Sequence, residues 1–168
     1  SIIVLKKIIE ISDKSKKEVV VYLSMGFGNP YGDPWNIEIV LDWIYKLKLL
    51  GIKTISLSDT TGISKPKQIK KLFKAVNSEY REIEFGAHFH STPNDWYDKI
   101  NSAYSSGCNR FDGTIMGYGG CPMASNRLIG NIPTEMLINF FSNKESNVKL
   151  DISNFGDAIS NFKAIIKL

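Results

Sequence analysis

One pattern limits what this chain can become: runs with strand character alternate with stretches of helical period. Residues 2–13 carry Ile, Val and Leu on a helical period with lysines between, which predicts an opening amphipathic helix. Glu18-Val-Val-Val-Tyr-Leu-Ser24 is a near-continuous β-branched run and predicts a strand buried on both faces. Gly26, Gly28, Asn29-Pro30, Gly32 and Asp33-Pro34 mark a loop, with Asp33 expected to cap the next helix and Pro34 to take its first position. Ile37, Val40, Leu41, Ile44 and Leu47 form one face of that helix, and Gly51 ends it. Lys53-Thr-Ile-Ser-Leu-Ser58 is the next strand, and Asp59-Thr-Thr-Gly62 turns out of it. Pro66 starts a helix with Ile69, Leu72, Phe73 and Val76 inward, and Ile83-Glu-Phe-Gly-Ala-His-Phe-His90 is the third strand. Thr92-Pro-Asn-Asp95 has the form of a capping box. Trp96, Ile100 and Ala103 share a face of the helix behind it, which Gly107 ends. Residues 109–115 predict a fourth strand, and residues 134–141 and 155–166 two further helices.

Such alternation predicts an α/β fold, a parallel sheet with alternating helices joined by right-handed crossovers. The turns from helix to strand are plain. The loops at the carboxyl ends of the strands carry the residues with chemistry: the Asn29-Pro30 loop, Asp59, His88, His90 and Cys121. Barrels and open α/β sheets both build their sites at that end, so the asymmetry favours an enzyme over a structural module.

The bulk numbers agree with a globular domain. The 168 residues are 43% hydrophobic and 23% charged, with no apolar run near the length of a membrane span. The formal charge is +4. The lysines interleave with apolar positions at helical spacing and read as solvated helix faces, compatible with a phosphorylated ligand. No Arg-rich pattern with stacked aromatics points to nucleic acid. Cys108 and Cys121 are too few for a disulfide framework, so free thiols and a cytoplasmic location are expected, or the mitochondrial matrix for a eukaryotic source. The chain opens on Ser1 inside a helical pattern, and an upstream portion is expected.

Residues 117–131 stand out. Gly117, Gly119, Gly120 and Cys121 fall within five positions, Pro122 follows directly, and Gly130-Asn131 closes the segment. Loops of this length are usually functional or mobile, and the alternative is a surface loop with a stray thiol. His88 and His90 are two apart on a strand and share a face, where two imidazoles can bind one divalent metal. The alternative is a pair of buried, hydrogen-bonded histidines. Asp59 is expected either at the mouth of a site or as a helix cap, Asp112 either at a site or structural. Asn131 offers an amide oxygen to a hard cation or serves a turn.

Together these motifs change the balance. The turn Ser56-Leu-Ser58-Asp59-Thr-Thr-Gly62, the strand Gly86-Ala-His88-Phe-His90, the loop Gly117-Tyr-Gly-Gly-Cys121-Pro-Met-Ala124 and Gly130-Asn131 resemble hydroxymethylglutaryl-CoA lyase, of the metal-dependent barrel lyases and Claisen-type synthases. The synthases share the His-X-His and the metal Asn but lack the Gly-Gly-Cys-Pro loop, so Cys121 separates lyase from synthase. The resemblance implies a (β/α)8 TIM barrel of which residues 1–168 are one partial domain, strands five to eight, with the N-terminal half absent. A whole barrel needs roughly 200 residues or more, which agrees. Half a ring is expected to be marginal alone, or to associate.

The same resemblance implies Mg²⁺ or Mn²⁺ held by His88, His90, Asn131 and an aspartate of an Arg-Asp pair on the first barrel strand, which this chain lacks. It implies retro-Claisen cleavage of 3-hydroxy-3-methylglutaryl-CoA to acetoacetate and acetyl-CoA, an activity tied to leucine degradation and ketone bodies. Cys121 and His88 are the expected catalytic groups, and Asp59, Ser56, Gly119 and Gly120 the expected substrate-binding ones. The partner is an acyl-CoA, with neither nucleic acid nor membrane, and a homo-oligomer is expected at full length. The piece is expected to be competent only with its missing half. The alternatives are a synthase of the isopropylmalate or homocitrate type, and an inactive truncated product.

Overall fold

The computed structural model describes residues 2–121, 129–142, 144 and 149–167. Residues 122–128, which carry the middle of the glycine-cysteine loop, lie outside the described residues.

Helix α1 (Ile2–Lys14) leads into β1 (Val20–Leu23), α2 (Ile37–Leu49), β2 (Thr54–Asp59), α3 (Pro66–Glu79), β3 (Glu84–Ser91), α4 (Trp96–Tyr104) and β4 (Arg110–Phe111). A 3-10 turn (Ile115–Gly117), a short β5 (Gly130–Asn131), α5 (Thr134–Ser142) and α6 (Ile152–Ile166) complete the order. The sheet runs β1-β2-β3-β4, all parallel, and β5 joins β3 antiparallel. The predicted α/β alternation with a mostly parallel sheet is the architecture found.

The two faces of the sheet divide by the period-two rule. Ile55, Leu57, Phe85, Ala87 and Phe89 turn toward the helices and meet Val40, Ile44, Ile69, Leu72, Phe73 and Ile100, all buried. The inward helix faces are those the periodicity predicts. Tyr22, Ser56, Gly86 and Arg110 lie in one cross-strand row, with His88 two residues beyond Gly86 on the same face. This second face is polar.

Three local expectations are revised. The run at residues 18–24 is an edge strand here, not one buried on both faces: Tyr22 is 49% exposed, and among the described residues β1 pairs with β2 alone. Helix α2 starts after Asn36, whose side-chain oxygen accepts from the Ile39 N–H at 2.8 Å, so neither Asp33 nor Pro34 belongs to it. Asn36 wins because the Trp35 indole donates to the Gly26 carbonyl at 3.0 Å and pins the chain just before it. The fourth strand is two residues long. Gly113 ends it, since a Cβ there would lie 2.8 Å from Leu137 and 3.0 Å from the Ile132 carbonyl.

Candidate functional site

The polar face converges at the carboxyl ends of β3 and β4. His88 and His90 alternate with Phe89, so both imidazoles leave the face opposite the core, with ring centroids 5.1 Å apart. Strand β5 adds the third group. Its register sets Asn131 directly opposite His90, and paired residues of an antiparallel ladder share a face. The Asn131 amide nitrogen donates to the Tyr118 carbonyl at 3.0 Å, so its side-chain oxygen is the atom that could accept a cation.

Asp112 sits 3.3 Å from Nδ1 of His88, and the Ser56 hydroxyl donates to the same carboxylate at 3.4 Å. Tyr22 joins them: its ring packs edge-on to His88 at 5.5 Å and its hydroxyl bonds Asp112. Burial pushes the Asp112 carboxyl up, but the hydrogen bonds of His88 and Tyr22 outweigh it and hold it below the ordinary range. Asp112 is thus an ionised acceptor that fixes the imidazole of His88 and leaves its other nitrogen for chemistry. His88 and Asp112 line a cleft of about 680 Å³, of substrate size.

His90 is 6% exposed. Burial first, then the neighbouring His88, push its pKa below the usual imidazole value, so it stays neutral with a lone pair available. Its Nδ1 is buried without a hydrogen-bond partner among the described residues. An unsatisfied buried polar atom costs about 1–3 kcal/mol, so this nitrogen is a candidate to meet a ligand. Two imidazoles and an amide oxygen suit a divalent cation. Among the described residues no three His, Cys, Asp or Glu side chains converge as a metal group; His88, His90 and Asn131 are the groups that could meet one.

The expected substrate group Asp59 belongs elsewhere. It follows Ile55 and Leu57 at even steps, so it turns to the helix side, away from Ser56 and His88. It is 1% exposed, 2.9 Å from the Lys99 ammonium, and accepts from the Ser64 amide and hydroxyl. Its carboxylate is therefore buried on the face opposite His88. Ser56 remains on the histidine face, though only 2% exposed.

The glycines of the loop serve close approach. Gly117 has φ +65°, and a Cβ there would lie 2.9 Å from the Asn131 carbonyl. Gly119 and Gly120 lie against the same strand, with a Cβ 3.3 Å from the Asn131 amide and 3.0 Å from the Ile129 carbonyl. The loop therefore holds Asn131 in place up to Cys121, which is half-buried at the last residue before the segment 122–128. Gly117→Ala is expected to destabilise the chain by more than about 1 kcal/mol in urea unfolding, through both the positive φ and the clash. An unchanged midpoint would count against this packing.

The two thiols differ by environment. Cys108 is fully buried, and burial pushes its pKa up to about 12. In the folded chain it stays protonated and shielded, so iodoacetamide at pH 8.5 is expected to alkylate Cys121 and spare Cys108 until the chain is unfolded. Peptide mapping after a timed reaction reads the outcome. The unfolded chain releases the Cys108 proton near 9.0 while the folded chain keeps it to about 12, so stability should fall as pH rises through that window.

Sequence reasoning missed Tyr22 and Lys99 and left Asp112 undecided. Tyr22 carries no signal beyond its strand. Lys99 had one: it lies between Trp96 and Ala103 at i+3, on the face already read as apolar.

Comparison with known proteins gives a consistent result. The family model described as HMGL-like matches residues 4–161. A hydroxymethylglutaryl-CoA lyase of Bacillus subtilis is 31% identical over 153 residues, covering 90% of this chain and 51% of that protein. The crystal structure of a Bacillus subtilis HMG-CoA lyase superposes with a TM-score of 0.87 at 27% identity, covering 97% of this chain and 54% of that one. An HMG-CoA lyase from Acinetobacter baumannii, solved with coenzyme A and 3-methylmalate, superposes at 0.82 and 28% identity, covering 97% and 53%. The chain spans about half the length of the relatives it matches.

Proposed function

The chain belongs to the HMGL-like family, and from that premise we propose that it is the part of a hydroxymethylglutaryl-CoA lyase barrel carrying strands five to eight. Residues 1–168 form one partial (β/α)8 domain in this proposal, completed by strands that this chain does not supply. The share of the relatives' length and the open polar face support it. The observation that carries the functional reading is the register of β5 on β3, with Asn131 opposite His90 and two residues from the level of His88.

His88, His90 and Asn131 would hold Mg²⁺ or Mn²⁺. When bound, such a cation supplies Lewis-acid polarisation and a template for the tertiary hydroxyl and an oxygen of the acyl group. The His88–Asp112 pair is this chain's candidate to receive the hydroxyl proton. With that proton gone, the carbon–carbon bond breaks to acetoacetate and the enolate of acetyl-CoA. Cys121 then gives its thiol proton to the enolate carbon, and the proton held by the base restores the thiol, so no net proton is consumed. Ser56 keeps Asp112 oriented. The segment from Gly117 to Gly120, packed on residues 129–131, would hold Cys121 for this step. The acyl-CoA substrate and the homo-oligomer of the whole enzyme are part of the same proposal. A cytoplasmic or mitochondrial setting is compatible with it; among the described residues no helix is long and apolar enough to cross a membrane.

The test is turnover of 3-hydroxy-3-methylglutaryl-CoA by the protein extended with the first half of the barrel. Acetoacetate release that stops on chelation and returns with Mn²⁺ is expected. Asp112→Asn should lower it by about 10–100-fold, the usual cost of removing the partner of a ligating histidine. Condensation of acetyl-CoA with a 2-oxo acid, without acetoacetate release, would move the protein to the synthases. Full activity in Cys121→Ala would remove the cysteine from the scheme.

A further inference from the structure

One buried cation has no part in the proposed chemistry. Lys99 is 1% exposed, and α4 delivers it under the end of the sheet. Its ammonium donates to the Asp59 carboxylate at 2.9 Å, to the Gly62 carbonyl at 2.8 Å and to the His90 carbonyl at 2.8 Å. An ammonium has three protons, and these bonds use all three. Asp95 adds a second carboxylate at 3.5 Å. Asp59 is in turn fixed by the Ser64 amide and hydroxyl.

The bond to His90 distinguishes this network from an ordinary buried ion pair. His90 lies one residue from the end of β3, where the ladder with β2 has already stopped at Asp59 and Phe89. Beyond that point, among the described residues, only the two-residue β5 pairs with the strand. The Lys99 ammonium replaces the missing ladder bond on the other side, and it ties the same atom to the turn after β2 through Gly62. A Cβ at Gly62, where φ is +70°, would meet Ile129 at 2.7 Å, so this turn also abuts the residue before β5. One point charge thus links the strand with the histidines, the turn after β2 and the approach to Asn131.

We propose that Lys99 is a positioning residue that sets the backbone of His90, and so the alignment of His90 with His88 and Asn131, for divalent cation binding. This rests on the metal site proposed above and makes no contact with substrate. The prediction concerns affinity for the ion, because a carbonyl released from the ammonium frees the end of β3 while leaving each ligand side chain present.

Lys99→Met alone leaves the Asp59 carboxylate buried and unpaired and is a poor probe. Asp59→Asn/Lys99→Met removes both charges, keeps an acceptor for Ser64 and conserves volume. Lys99→Arg keeps the charge and its donors. Mn²⁺ binding to the protein extended with the first half of the barrel is followed by the electron paramagnetic resonance signal of the free ion, with circular dichroism reporting the fold. The double variant is expected to keep its helical signal and bind Mn²⁺ about 10–100-fold more weakly, as for other groups that orient a ligand from behind, and Lys99→Arg to recover most of the affinity. Wild-type Mn²⁺ affinity in the folded double variant would overturn the role of Lys99 and leave the metal site standing. No Mn²⁺ binding by the wild-type extended protein would overturn both. Weaker binding in the double variant with no lyase activity in the extended protein would uphold Lys99 while removing the lyase reaction.

Discussion

Replacing His90 with alanine is expected to lower acetoacetate release from the completed enzyme by more than about 100-fold, with the fold retained. Partners that merely orient a ligating histidine cost about 10–100-fold, and a direct ligand costs at least the upper end. The physical case lies in the side chain's present state. It is 6% exposed, neutral, and carries a buried nitrogen with no hydrogen-bond partner among the described residues. A histidine kept for packing would satisfy that nitrogen or be replaced by an apolar residue. The effect should appear in ion affinity as well as in turnover. His90→Ala that binds Mn²⁺ like wild type would show that the imidazole is structural, and the metal reading would fall with it.

Asp59→Ala is expected to destabilise the chain by about 3–5 kcal/mol, the cost of stranding one member of a buried ion pair. Asp59 and Lys99 are each 1% exposed, so solvent cannot take over from the lost partner. The two carbonyls and the more distant Asp95 still face the ammonium, yet only Asp95 is a further negative charge, and it is 40% exposed. A loss of that size is a large share of the ~5–15 kcal/mol that holds a domain together. Urea unfolding followed by circular dichroism measures it. A change below about 1 kcal/mol would mean that the pair is not closed to water. Asp59→Asn/Lys99→Met should recover much of the loss, since a neutralised pair leaves no charge in the interior.

These two predictions concern opposite faces of the same sheet, and the faces were not equally legible. The alternation of elements, the inward faces of α2 and α3, the ends at Gly51 and Gly107 and the shared face of His88 and His90 all follow from periodicity, which is local. Asp59 was left open between the mouth of a site and a helix cap because the last residue of a strand can be assigned to the turn or to the strand. One step of parity then moves it from the substrate side to the core side. The ends of β1 and α2 were misjudged for a similar reason: neighbours across the sheet, and an indole bonded to a distant carbonyl, decided them.

By itself, the sequence determined the α/β class, the core faces, the His-X-His pair and the motifs that place the chain beside hydroxymethylglutaryl-CoA lyases. Those depend on residue type and spacing along one strand or helix. Only the tertiary structure decided that Asn131 stands opposite His90, that Asp112 and Tyr22 back His88, and that Lys99 is buried beneath the end of β3. Each joins segments 9 to 90 residues apart in the chain, and no local periodicity carries a register between strands or the partner of a buried charge.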